Sequence, residues 1–462
     1  MAKDKVAVII DKNNIIGRME RIPWSTFLLV VMLVGSSAVF FDIFDIDTAG
    51  SILPVLAKIY LLTGLEKGLT LSMVFFGMFI GSWVSGYLAD KLGRKRLFNI
   101  TIILMSVGSL LSALSINIYM FWSTRLITGF GIGGDFPVVW VYVNELIPTR
   151  YRGRLTSATY VIGVASIPAI SFLAAGSIAI LGYNIGWRVP FIVGAIIGLI
   201  IYFVRKLVPE SPRWYLAHNM LDKAEESMKQ IEEWVSKSIR RPLPPPPNLN
   251  AVINLEKTPM RDAFKPGIRV KTILVILTFI TGIAAFYGFV AYLPTILVEK
   301  GFTIVKSITY AGIGYIGGIL GPTIPMIIGE RFQRRYQLLI YLPLLAIIIP
   351  IFAFSRTVIE LLILAFIINL LLQAQAVTFE YYTPEVFPTK VRGTAIGIAN
   401  GLGRLYNALS LIIIGALIVG VVNQLLYVSI LFLIMALCIY LIRENTSGKV
   451  LEDISEKKMV SQ

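Results

Sequence analysis

GYLADKLGRKR, from Gly86 to Arg96, and NELIPTRYRG, from Asn144 to Gly153, both return 240 residues later in the chain. Adding 240 to Asp90, Lys91, Arg94 and Lys95 lands on Glu330, Arg331, Arg334 and Arg335 in GERFQRRY. The same offset carries Glu145, Pro148, Arg152 and Gly153 onto Glu385, Pro388, Arg392 and Gly393 in PEVFPTKVRG. One offset relating two charged loops marks a structural duplication. The copies differ at one turn, where Gln333 stands in the place of Gly93.

What surrounds these loops is apolar. Of 462 residues 56% are hydrophobic and only 15% charged, with mean hydropathy +0.77. A soluble surface needs roughly 25% charged residues, so much of this surface must face lipid. Runs of spanning length lie near 24–47, 68–89, 97–117, 119–146, 155–181 and 187–207, and again near 271–297, 304–328, 336–354, 357–383, 393–419 and 421–442. Backbone groups in lipid need internal partners, which makes these runs helices. The expected fold is an all-α membrane protein of twelve transmembrane helices in two six-helix, pseudo-symmetric bundles. The expected organisation is a first bundle at 1–207, a linker at 208–270, and a second bundle with a short tail at 271–462. In the linker Leu221, Ala224, Met228, Ile231, Trp234 and Val235 recur at helical spacing among Lys and Glu, and Pro244–Pro247 then impose an extended stretch.

The net charge of +15 could point to nucleic acid, but its placement says otherwise. With both ends inside, 34 of the 42 Lys and Arg fall on the inner side, 6 outside and 2 in the membrane. That bias is the positive-inside rule. It predicts a multi-pass cell-membrane protein with cytoplasmic termini, whose partner is the bilayer and not nucleic acid; function as a monomer is expected besides. One Cys (Cys438) and one His (His218) leave no disulfide, no Cys/His metal site and no nucleophile–His–Asp set. No cofactor and no enzymatic role are expected. Residues 1–23 are too polar for a cleavable signal peptide.

Ionisable residues at membrane depth cost roughly 2.5–3.5 kcal/mol each, so they are functional suspects. The first run ends in FFDIFDIDTAGSILP, where Asp42 and Asp45 share a helix face and Asp47 points elsewhere, nearer the outer surface. Arg125, in the fourth run, is placed to meet Asp45 near the outer end of the first. A carboxylate that alternates between Arg and a proton is a coupling switch. Asp135 follows four glycines (129, 131, 133 and 134) that leave a bare face for close packing. In the tenth run Glu380 sits above the inner loop, and Asn369, Gln373 and Gln375 place amides higher up. Arg404 is twelve residues beyond Arg392, roughly 18 Å along a helix and near the midplane; Glu380 or an anionic substrate would neutralise it. Asp90, Arg94, Glu145 and Arg152, with counterparts Glu330, Arg334, Glu385 and Arg392, are expected to form inner-face salt bridges that open during transport.

Two parallel six-helix repeats are the layout of major facilitator transporters, and several motifs resemble that superfamily. GYLADKLGRKR is similar to its loop 2–3 signature, RLITGFGIGG (Arg125 to Gly134) to its helix-four pattern, and PESPRW (Pro209 to Trp214) to the sugar-porter signature after helix six. The resemblance implies proton symport through an Asp in helix one and an Arg in helix four, matching Asp45 and Arg125. GGDFP resembles the GGDYP of phosphate–proton symporters, where the Asp handles proton and phosphate, which adds Asp135 to the coupling set.

Departures narrow the substrate. Sugar porters carry QQxxGxN in helix seven; here the stretch is TFITGIA, Thr278 to Ala284, and a Trp five residues before the second-half Glu is Glu380. Phosphate symporters place an Asp where Ile283 stands. FYGFVAYLPTILVEKGF and PEVFPTKVRGTAIGIANGLGRL look more like the metabolite–proton branch, which carries aromatic and other carboxylic acids. Arg404 would then meet the carboxylate, and Tyr287, Tyr292 and Tyr381 would stack on a ring. The reading is a proton-coupled transporter of a small carboxylate working by alternating access. Sugar or polyol transport, phosphate symport and a transporter-like nutrient sensor are the alternatives.

Overall fold

The computed structural model describes residues 14–247, 260–328, 332–387 and 389–444, all helices and connections. A short helix α1 at 14–20 leads into the first half. That half comprises α2 (Thr26–Ile59), α3 (Gly64–Leu92), α4 (Arg94–Ala113), α5 (Ile118–Leu146), α6 (Thr149–Val164), α7 (Ser166–Gly186) and α8 (Val189–Arg205). α9 (Pro212–Ala217) and α10 (Leu221–Ile239) belong to the linker. The second half comprises α11 (Arg269–Val290), α12 (Leu293–Glu299), α13 (Ile304–Leu320), α14 (Thr323–Ile328), α15 (Arg334–Phe354), α16 (Val358–Glu385), α17 (Thr389–Leu417) and α18 (Val421–Ile442). Among the described residues eleven helical spans are long and apolar enough to cross a membrane, α6 and α7 together making one, and α8 adds a shorter apolar helix.

The offset of 240 holds down to single hydrogen bonds. In α3, a Cβ on Gly77 or Gly81 would meet the carbonyls of Leu126 and Phe130 in α5 at 2.2 and 2.1 Å. In α13, a Cβ on Gly317 or Gly321 would meet those of Phe366 and Leu370 in α16 at 2.1 and 2.4 Å. All four positions and all four carbonyls are related by 240. So are the hydrogen bonds from Arg152 to the Ile147 carbonyl and from Arg392 to the Phe387 carbonyl. Tyr142 and Tyr382, again 240 apart, each donate to a carbonyl beyond their own helix, of Pro209 and Glu444. Small residues at these crossings are what let backbones touch where lipid supplies no hydrophobic drive.

The expected helix ends were wrong in three places. The first span runs twelve residues past 47, to Ile59. DTAGS reads as a helix end, yet residues 48–56 are all buried, with Gly50 against Ala291 of the other half. Its small residues serve close approach, and Pro54 is tolerated inside the helix. The expected helix at 271–297 is two, α11 and α12, broken at Ala291–Tyr292 before Pro294. The eighth span likewise breaks into α13 and α14 beside Pro322. In both, proline withholds a backbone N–H, and the helix restarts with it inside its first turn or just before.

Two faces of the bundle differ. On the face opposite the charged loops the halves touch backbone to backbone. A Cβ on Gly64 would sit 2.1 Å from the Gly415 carbonyl, Ser72 donates to the Ala408 carbonyl at 2.7 Å, and Lys67 and Glu299 lie 3.9 Å apart. On the face that carries the charged loops the halves meet through side chains instead, Tyr381 with Ser157 at 2.9 Å. The linker is clasped beneath the first half on that same face. Arg18 bridges Glu225 and Glu232 of α10 at 2.6 Å each, which raises its guanidinium further above its ordinary value through the bonds to Glu232 and Glu225 and the attraction of both carboxylates. Glu20 holds Arg213 at 2.7 Å.

Candidate functional site

Three groupings of charge lie within the helices, two buried inside the first half and one reaching from the second half into the first. In the first, Arg125 ion-pairs with Asp45 through Nη1 and donates Nη2 to the Asp45 backbone carbonyl at 2.8 Å, while Ser109 donates to Oδ2 at 2.5 Å. Both side chains are fully buried. The pairing lies mid-helix rather than near a helix end, because α2 continues to Ile59. Asp42, three residues earlier, is also fully buried, yet neither carboxylate oxygen has a hydrogen-bond partner. The charges within its reach are Asp135, Arg205, Arg404 and Asp45. Asp47 does not lie outward as expected. It is 5% exposed, with Oδ1 unpartnered, because the extended α2 is covered there by the second half.

The second grouping was missed by the sequence. Asp135 is held by both terminal nitrogens of Arg205, at 3.2 and 3.1 Å, and by the Thr101 hydroxyl at 2.6 Å. Arg205 also donates to the Phe98 carbonyl. It ends α8 and reads as one more basic residue of the linker. The available signal was an Arg closing an apolar helix, opposite an Asp ten residues deep from Glu145. Removing one partner of a buried pair costs about 3–5 kcal/mol, more than the pair contributes, since it strands a charge. Arg205→Met should therefore lower stability by about that amount, and adding Asp135→Asn should restore much of it. Thermal unfolding in detergent checks this; an unchanged midpoint in the single variant removes the pair from the supports of the fold.

The third grouping belongs to the second half. Asn400, Arg404 and Asn407 follow one another along one face of α17. Arg404 donates Nε to the Asn400 amide oxygen at 2.8 Å and reaches into the first half, with its guanidinium 5.2 Å from the Phe136 ring centre and Nη1 3.5 Å from the Met78 sulfur. It has no ion pair with Glu380, one of the two partners expected for it, the other being an anionic substrate. Glu380 is exposed, and with Tyr287 and Asp42 it lies within electrostatic reach of Arg404. Asn407 is fully buried with both amide atoms unpartnered.

The remaining candidates separate by helix phase. Gln373 and Glu380 are two turns apart on one face of α16, and Gln373 accepts from Tyr160 of the first half at 3.1 Å. Tyr381 meets Ser157 across the halves at 2.9 Å. Gln375 lies on another face, buried with Oε1 unpartnered. Asn369 is buried and donates to the Ala365 carbonyl of its own helix at 2.8 Å. Tyr287 stands edge-on to Phe75 at 4.6 Å, half-buried between the halves. Tyr292 donates to the Leu411 carbonyl at 2.9 Å and is buried, a brace rather than a stacking surface.

Among the charged-loop residues, Arg334 and Glu385 pair at 2.8 Å within the second half. Arg152 does not pair with a carboxylate among the described residues; it donates to Ile147, which caps its own loop. Glu145 is half-buried beside these loops, and Arg392 donates to the Phe387 carbonyl at 3.2 Å. Glu330, and the side chains of Asp90 and Arg94, lie outside the described residues.

The family model for the Major Facilitator Superfamily matches residues 35–411. The niacin transporter NiaP of Acinetobacter baylyi is 27% identical, over 96% of this chain and 99% of its own. The gallate transporter of Pseudomonas putida is 26% identical, over 90% of each. A partially occluded inward-open structure of the xylose transporter XylE from E. coli superposes with TM-score 0.74 at 17% identity, covering 92% of this chain and all of that one.

Proposed function

The chain belongs to the Major Facilitator Superfamily, and on that premise we propose that this multi-pass membrane transporter couples proton movement to the uptake of a small organic acid. The observation that carries the reading is Arg404. It is a guanidinium between the halves with no carboxylate paired to it among the described residues, facing Phe136 and within reach of Tyr287. A cation flanked by aromatic rings suits an aromatic carboxylate. Relatives named for niacin and gallate favour the same class.

Orientation and conformation follow from the same premise. The basic face is cytoplasmic by the positive-inside rule, so contacts such as Gly64–Gly415 seal the outer side and the site opens inward. Rocking the halves would part those glycines and bring the charged loops together. Asp45 and Arg125 form the switch, and Asp42, which no donor holds, is the acid placed to pass a proton to it. Asp135 is held by Arg205 and supports the coupling site. The protein acts as a monomer in the cell membrane. A polyol or sugar is the second reading, favoured by the unpartnered amides of Gln375 and Asn407.

The test is solute-driven proton movement in proteoliposomes, across aromatic acids, other monocarboxylates, sugars, polyols and phosphate. Alkalinisation outside with an acid is the expected result. A signal with a sugar alone would move the substrate to the second reading, and counterflow without proton movement would remove coupling.

A further inference from the structure

PESPRW lines a pocket apart from the three groupings of charge described above. On the basic face, between the start of α4, α9 and the start of α10, a cavity of about 380 Å³ is lined by three cations, Lys95, Arg96 and Lys223, with Asn99, Glu210 and Trp214. Trp214 is 8% exposed, yet its indole N–H has no partner, and the Asn99 amide oxygen is also buried and unpartnered. A buried donor left open beside three cations is costly unless something accepts from it. Glu210 offsets one of these charges and leaves the other two uncancelled. Its two oxygens are taken by the backbone N–H groups of Lys95 and Ser211, at 2.9 and 3.0 Å. Burial raises its carboxyl above the ordinary value, against the bonds from Ser211 and Lys95, which lower it.

The pocket's position selects the anion. Lys95 opens a spanning segment, so the cavity lies at the level of lipid headgroups. Directly along the membrane from it run the exposed apolar residues Ile100 and Ile103 of α4 and Phe203 and Leu207 at the end of α8, two helices that pack side by side. A basic pocket continued by a bare apolar track has the two-part chemistry of a phospholipid. We propose that this cavity binds the phosphate of an anionic phospholipid, with Arg96 and Lys223 neutralising its charge, the Trp214 N–H donating to a phosphate oxygen, and the acyl chains lying along α4 and α8. The lipid would tie the linker helices to the first half. This does not depend on what is transported.

Native mass spectrometry of the full chain in detergent tests the assignment, with phosphatidylglycerol, phosphatidylcholine and inorganic phosphate as probes. Phosphatidylglycerol should be retained in preference to phosphatidylcholine. R96Q/K223Q, on the exposed side of the pocket, should weaken that retention about 30-fold at roughly one charge's worth per residue. W214F, which keeps the ring and loses only the donor, should weaken it about threefold or more with an unchanged melting temperature. Equal retention of both lipids, or wild-type retention in both variants, overturns the proposal. So does saturation by inorganic phosphate at the same concentration, which would give the pocket to a soluble phosphate compound.

Discussion

Asp45→Asn is expected to abolish uphill uptake while leaving substrate counterflow. The carboxylate is gripped by Arg125 and Ser109 inside a fully buried setting that joins α2, α4 and α5. An Asn oxygen can still accept from one of these donors, so the helices stay joined, but the residue no longer exchanges a proton. Stranding Arg125 entirely would cost about 3–5 kcal/mol, and the retained bond keeps the loss below that range. The measurement is accumulation against a gradient in proteoliposomes, with counterflow as the control for folding and binding. An accumulation ratio falling to about unity with counterflow intact is the expected outcome. Full uphill uptake in the variant would end the coupling role of this pair. Asp42→Asn in the same assay separates the two acids, since loss of uphill uptake there alone would move coupling to the unpartnered carboxylate.

Arg404→Gln is expected to raise the KM for acids by about 10- to 150-fold, the loss of one charge-assisted hydrogen-bonding group at about 1.5–3 kcal/mol. The neutral side chain can still bond Asn400, which holds the local helix face, so folded yield should change little. A rise confined to anionic substrates distinguishes a binding cation from a general packing role. An unchanged KM would leave Arg404 as a contact between the halves, through Phe136 and Met78, and nothing more.

These predictions draw on residues that were visible in the sequence, but their pairings were not all visible. Asp45 with Arg125 was legible because both interrupt apolar runs, and a lone charge in lipid demands a partner. Arg205 interrupts nothing. It stands at a helix end among other basic residues, and only the packing of α8 against α4, which itself packs on α5, buries it on Asp135. Of the two partners expected for Arg404, Glu380 and an anionic substrate, Glu380 is not paired with it, for a related reason. Helix spacing places each at a depth, but it does not set how far apart the two helices hold them. The amides of α16 show the same limit, since Gln373 reaches the other half while Asn369 bonds its own helix.

By itself the sequence determined the duplication, the membrane class, the number of spans and the charged face, because these follow from periodicity, hydropathy and charge carried along one chain. The tertiary structure decided where helices end or break, which acids are left without a donor, and which side of the bundle is sealed. Those depend on contacts between segments far apart in the chain. The small residues of DTAGS show why. Alone they favour a turn; in the fold they continue α2, and their small size admits the backbone of Ala291 against Gly50.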